Sequence, residues 1–288
     1  MIWLLVALPG LCQAVTAVIY QPLRADMQRP EHHWPSAFAH LQQQGFDTVI
    51  FQWTQHGDAF SSAHEQQWLL QRLLDAANAG LDLVVGLYAD SDQQAVERLP
   101  NDLVLPYARQ NTDLSLALAK YWVTVLPTEQ LVGWYLPFEI DDRRWRAAGA
   151  QAALTNWISR EVELLTQLWQ VPVYQSVFFA GHSTPTQFAA LLQAISLDTS
   201  VNLWVQDGSG TLSLNTNEAK LYQKVVTDCS AQIVRGVIFE LFEQTSPDVS
   251  FSAKPLDTKK LAKALRQRAP CHGNTIFFSL RYLVDLQE

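Results

Sequence analysis

The chain has 288 residues, 48% of them apolar and 17% charged, with a formal net charge of -8. That apolar share supplies a substantial core and excludes wholesale disorder. The acidic balance argues against nucleic acid, or an anionic membrane surface, as a partner. The length fits one large α/β domain or two small ones.

Residues 1–17 (MIWLLVALPGLCQAVTA) form a short apolar segment ending in small residues. It is too short for a comfortable membrane span. It reads as a signal peptide cleaved after Ala14 or Ala17, with residues 18–288 as one folded domain. The expectation is a periplasmic or secreted protein, with no stable membrane insertion once the segment is removed. Leu11 stands where a lipoprotein needs a small residue before its lipidated Cys, so Cys12 is not read as a lipid anchor.

Apolar strands then alternate with helical patterns. Residues 17–22 (AVIYQP) are a first strand, and a helix over 34–44 stops at Gly45. Residues 48–53 (TVIFQW) are the second strand. A helix over 63–79 follows, with apolar residues at helical spacing and Gly80 as its stop. Residues 81–88 (LDLVVGLY) are the third strand, and 110–126 a helix closed by Pro127. Residues 131–139 (LVGWYLPFE) are the fourth strand, expected to finish near Pro137, which has no N–H to give a ladder. A helix over 147–169 leads to the fifth strand, 171–179. Thr184 and Pro185 open a helix over 185–195 as N-cap and first residue. The sixth strand is 201–206 (VNLWVQ), then come a helix over 217–228, a seventh strand from 234 through Glu240, a helix over 257–268 and an eighth strand, 275–280. Eight strands with seven intervening helices imply a closed (β/α)8 TIM barrel whose eighth helix is missing or very short.

A parallel barrel carries its chemistry at the C-terminal ends of its strands. Glu139 ends strand four and Glu240 strand seven, on opposite sides of the mouth. Period-two alternation places Gly133, Tyr135, Pro137 and Glu139 on one face, and Gly236, Ile238 and Glu240 on one face of strand seven. Two carboxyl groups, one protonated and one ionised, are what glycosidic cleavage needs. Glu139 is read as acid/base and Glu240 as nucleophile, with Glu243 as the competitor for the second role. Gln21, Asp26, Gln52, Trp53, Tyr88, Tyr135, Gln175, Trp204, Gln206 and Asp207 also fall near strand ends, where amides, carboxylates and aromatic faces bind sugars. His32, His33, His56, His64, His182 and His272 show no metal spacing, and no Gly-rich phosphate loop or GxSxG elbow occurs, so no metal or cofactor is expected. GSG at 208–210 reads as a turn.

Three stretches, QPLRAD, FDTVIFQW and GWYLPFEIDD, resemble the bacterial barrel family catalogued as domain of unknown function 4434, itself similar to glycosidases. More distantly, a Glu ending strand four and a Glu ending strand seven resemble retaining (β/α)8 glycoside hydrolases, where these residues are acid/base and nucleophile. That clan carries Asn directly before the strand-four Glu; this chain has Phe138. Together with the apolar leader, the resemblance gives the expectation of an exported protein that cleaves or transfers a glycosidic bond in a bacterial poly- or oligosaccharide. The alternative is a non-catalytic barrel that binds or helps assemble such a glycan. Cys229 and Cys271 each precede a strand by a few residues at one end of neighbouring units. A disulfide is therefore open to them in an exported protein, with two separate thiols as the alternative.

Overall fold

The computed structural model describes residues 15–92, 95–246 and 252–284. Of the expected leader, residues 1–17, the first 14 lie outside them. Eight parallel strands close on themselves: β1 (Thr16–Tyr20), β2 (Thr48–Phe51), β3 (Asp82–Gly86), β4 (Leu131–Ile140), β5 (Val173–Val177), β6 (Asn202–Gln206), β7 (Gly236–Glu240) and β8 (Asn274–Phe278). Each strand pairs with its sequence neighbours, and β1 closes the ring by pairing both β2 (Val18 with Val49) and β8 (Val18 with Phe277). The barrel is full rather than hollow. Ala17, Ile19, Ile50, Val84, Tyr135, Trp204, Ile238 and Ile276 fill it, one parity from strand after strand. Each large aliphatic side chain so buried contributes about 1.5–3 kcal/mol.

The opposite parity packs outward against α1 (His33–Gln43), α2 (Ala63–Asn78), α3 (Asn101–Val125), α4 (Ala148–Leu168), α5 (Pro185–Thr199), α6 (Thr216–Val226) and α7 (Thr258–Ala264). Local chemistry sets their ends. Ser62 caps α2 in a reciprocal pair with Glu65, Thr184 caps α5 ahead of Pro185, and Asp257 accepts two backbone N–H bonds at the start of α7. Among the described residues, β8 is followed by a single turn, Leu280–Tyr282. Among the described residues no helix is long and apolar enough to cross a membrane.

Two expectations need correction. Helix α3 begins at Asn101, about two turns before the expected start, and carries Pro106 inside it. Pro106 is its sixth residue, past the four N–H groups a helix leaves unpartnered, so the ring costs one bond of the ladder. Strand β4 also runs past Pro137 to Ile140. Its register with β5 slips between Leu136, opposite Gln175, and Ile140, opposite Val177. Pro137 lies in that slip, where no ladder bond is asked of it, and the bulge carries Phe138 and Glu139 to the mouth.

Cys229 and Cys271 form a disulfide at the N-terminal end of the barrel, below β7 and β8, with Cα atoms 5.3 Å apart. The chain-entropy model gives about 4 kcal/mol for closing a loop of this length. Changing both cysteines to Ser should lower the unfolding free energy by up to about that amount. A urea titration of the oxidised wild type beside the double variant measures it.

Candidate active site

The C-terminal mouth opens into a cleft of about 510 Å³ that reaches from the barrel axis outward between α3 and α4. Glu139 and Glu240 both line it. Glu139 faces inward from the β4 bulge and reaches solvent through the mouth. Its Oε1 accepts from Gln206 Nε2 at 2.5 Å and Ser176 Oγ at 3.5 Å. Glu240 follows Ile238 on the inner face of β7 and is only 3% exposed. Its Oε2 accepts the Gly210 N–H at 2.6 Å. The GSG turn thus has a task. A Cβ on Gly210 would lie 2.6 Å from the Phe242 carbonyl and 3.0 Å from Glu240 Oε2.

Burial pushes the Glu240 carboxyl well up. The Asp207 carboxylate and then Glu139 push it further, while the Gly210 N–H pulls it down. Asp207 is also buried and raised, with Ser209 N and Oγ and the Glu240 N–H all donating to its Oδ1. Two carboxyls so placed resist ionising together. Burial raises Glu139 too, against the Gln206 and Ser176 donors, which favour the ionised form. Solvent at the mouth weakens that upward push. Glu240 is therefore the member of the pair that better keeps a proton.

Several expected residues join the site. Gln21, Gln52, Tyr88, Tyr135 and Gln206 line the cleft, and the Tyr135 hydroxyl bonds Ser176 Oγ at 2.8 Å. Gly86 lets the chain end of β2 pass, because a Cβ there would lie 2.2 Å from the Gln52 carbonyl. Asp207 does not line the cleft; its Oδ1 accepts the Glu240 N–H at 3.3 Å.

Other expected residues do not line the cleft. Asp26 is 1% exposed and holds the first loop, accepting from Tyr20 Oη and the Leu23 N–H, with Arg281 3.4 Å away. Trp53 donates to the Pro22 carbonyl and stacks on His56. Trp204 stacks on Tyr174 and Tyr135 inside the barrel. Gln175 has the outward parity of β5 and donates to the Phe138 carbonyl, pinning the β4 bulge. Glu243 sits on a short outer ribbon, Phe242–Gln244 against Ala253–Pro255, and pairs with Lys260 and Lys254. Among the described residues, no cluster of three or more His, Cys, Asp or Glu side chains could hold a metal.

The sequence reading missed Ser176, which carries the inward parity that Gln175 lacks. It also missed the arm of the cleft formed by Tyr107, Asn111, Ser115, Trp157 and Glu161. Helices supply these residues, so strand-end logic could not find them. Phe138 stacks on Trp157 with centroids 4.1 Å apart, forming one wall of the arm. Glu161 is 3% exposed, and its Oε2 accepts from Trp157 Nε1 at 3.0 Å and Thr112 Oγ1 at 3.4 Å. Burial pushes its carboxyl up to about 7, partly offset by bonds from Ser115, Trp157 and Thr112.

The model of the family described as "Domain of unknown function (DUF4434)" matches residues 15–286. A protein of Escherichia coli K12, "Uncharacterized protein YbcH", is 35% identical over 271 residues, covering 94% of this chain and 90% of that one. Among solved structures, a proposed alpha-L-fucosidase of Bacteroides thetaiotaomicron superposes with a TM-score of 0.67 at 16% identity, over 93% of this chain and 85% of that chain. A family 18 chitinase of Pseudoalteromonas aurantia reaches 0.51 at 11% identity, over 92% and 94%. At these identities the structural likeness is one of fold.

The raised Glu161 carboxyl has a consequence for stability. Its unfolded reference is 4.5 and its folded value about 7. Between these the folded chain binds more protons than the unfolded one, so stability falls as pH rises through that window. Glu161→Gln removes the penalty. It should gain up to about 3 kcal/mol over wild type at about pH 8, and nothing comparable at about pH 4. Urea titrations at the two pH values measure the difference.

Proposed function

The chain belongs to the DUF4434 family, and we propose that it is a glycoside hydrolase acting on a bacterial poly- or oligosaccharide. One observation carries the reading: Glu139 and Glu240 line one cleft at the barrel mouth, and among the described residues neither pairs with a cation. A rim carboxylate serving structure alone would be paired as Glu243 is. The environments of the two glutamates differ in the sense that acid/base chemistry requires.

The surroundings support roles opposite to those expected from strand position. Glu240, buried beside Asp207, keeps a proton at neutral pH and donates it to the leaving oxygen. Glu139, bonded by neutral donors and open to the mouth, is ionised. It attacks the anomeric carbon or activates water. The Asp207 carboxylate raises the proton affinity of Glu240, and Gln206 and Ser176 orient Glu139.

Glu139→Gln and Glu240→Gln should each cut turnover of cell-envelope or exopolysaccharide glycans by roughly a hundredfold or more, with folding retained. Dinitrophenyl glycosides assign the roles. Their leaving group needs no proton, so the variant lacking the acid recovers activity on them and the variant lacking the nucleophile or base does not. Recovery by Glu240→Gln supports the assignment made here. Recovery by Glu139→Gln restores the order implied by strand position. Glycan binding without turnover in the wild type would make the protein a binding barrel.

We further propose export, with cleavage after Ala14. The Val15 carbonyl accepts from the Thr275 N–H, and Thr16 and Ala17 pair with β8. Cleavage after Ala17 would strip residues that close the barrel. N-terminal sequencing of protein recovered from periplasm or medium should begin at Val15. Cytoplasmic protein retaining Met1 would refute export.

A further inference from the structure

The cleft has an uneven charge inventory. Asp90, Glu139, Asp141, Glu161 and Glu240 line it, and no Lys, Arg or His is among its lining residues. Nearby cations are engaged elsewhere. Arg281 bonds Asp26 and the Gln21 carbonyl, Lys254 and Lys260 pair with Glu243, and Arg144 bonds the carbonyls of Val96 and Leu99. The partners recorded for Glu161 are neutral side chains.

A second observation is independent of charge. Gln52 is 6% exposed, lines the cleft, and its Oε1 has no hydrogen-bond partner among the described residues. A buried acceptor left unmet costs about 1–3 kcal/mol, so a donor on the ligand is what this atom lacks. The walls are aromatic as well: Tyr88, Tyr107 and Trp157 flank Asp90 and Glu161 across the arm, and such faces attract cations. The carboxylates are spread along the cleft rather than converging as a metal site would need.

We infer that the cleft selects glycans bearing free amines, with ammonium groups on successive sugars facing Gln52 at the mouth and Glu161 in the arm between α3 and α4. The inference rests on the reading of the cleft as a glycan site and names the substrate class. An ammonium supplies N–H donors to Gln52 Oε1, charge to Glu161 and a cation to the Tyr107 and Trp157 faces. An N-acetyl group supplies one N–H and no charge. A uronate or sulfated sugar would bring an anion against several carboxylates.

The test is calorimetric binding to the Glu139→Gln protein, which holds ligand without turnover. The probes are glucosamine and galactosamine oligomers, their fully N-acetylated forms and oligogalacturonate. Amine-bearing oligomers should bind at least about tenfold more tightly than the N-acetylated forms, a difference of about 1.4 kcal/mol, and the uronate should not bind. Adding Glu161→Gln should erase most of that preference. Equal affinities, tighter binding of N-acetylated or uronic oligomers, or no binding of either amine series would overturn the inference. Wild-type turnover separates the two readings. Hydrolysis of neutral glycans without amine preference sinks the substrate class and leaves the hydrolase. Amine-selective binding with no hydrolysis sinks the hydrolase and leaves the substrate class.

Discussion

The pairing of β1 with β8 is the constraint on which the molecule depends. Closing the ring satisfies the backbone of both edge strands, and the helical crossovers give every strand one direction of C-terminal exit. Inward parity is then imposed all round the ring. Ile19, Ile50, Val84, Ile238 and Ile276 form a packed floor, and the next inward residues, among them Gln21, Gln52 and Glu240, stand on it at the mouth. Opening the ring would lose the cleft as well as the core, because the groups that face one another come from strands far apart in the chain.

Placing carboxyls on that floor is costly, and the structure offsets the cost with directed neutral donors instead of cations. Gly210 N–H serves Glu240, Ser209 serves Asp207, Gln206 and Ser176 serve Glu139, and Trp157 and Thr112 serve Glu161. Neutral donors leave net negative charge in the cleft and leave the proton affinities raised. A lysine or arginine at any of these places would stabilise the fold more cheaply and lower them, as Lys260 does for Glu243 on the outer ribbon. The contrast between Glu243 and Glu240, three residues apart, separates a carboxylate paired with a lysine from one served by a neutral donor.

Phe138 illustrates how one departure reshapes a site. In place of an amide that could bond sugar hydroxyls, its ring stacks on Trp157. The β4 slip, pinned by Gln175, sets that ring at the junction between mouth and arm. The barrel mouth is thereby extended sideways between two helices, to a carboxylate no strand carries.

Much of the fold was legible in the sequence because its signals are local. Period-two and helical spacing, caps such as Thr184 and Asp257, and stops such as Gly80 act within a few residues, and eight alternations of strand and helix leave few topologies but the closed barrel. Glu139 and Glu240 were legible for the same reason, since a strand's end and its parity can be counted. What required the tertiary structure was every choice between neighbours of similar chemistry. Gln175 and Ser176, or Glu240 and Glu243, differ by a parity or a partner that only packing reveals. The β4 slip past Pro137 depends on its register with β5, and the cysteine pairing on two loops meeting below the barrel. Which carboxyl keeps its proton depends on burial and on Asp207, which is 33 residues away in sequence and beside Glu240 in space. Desolvation and charge coupling act through space, so no spacing in the chain encodes them.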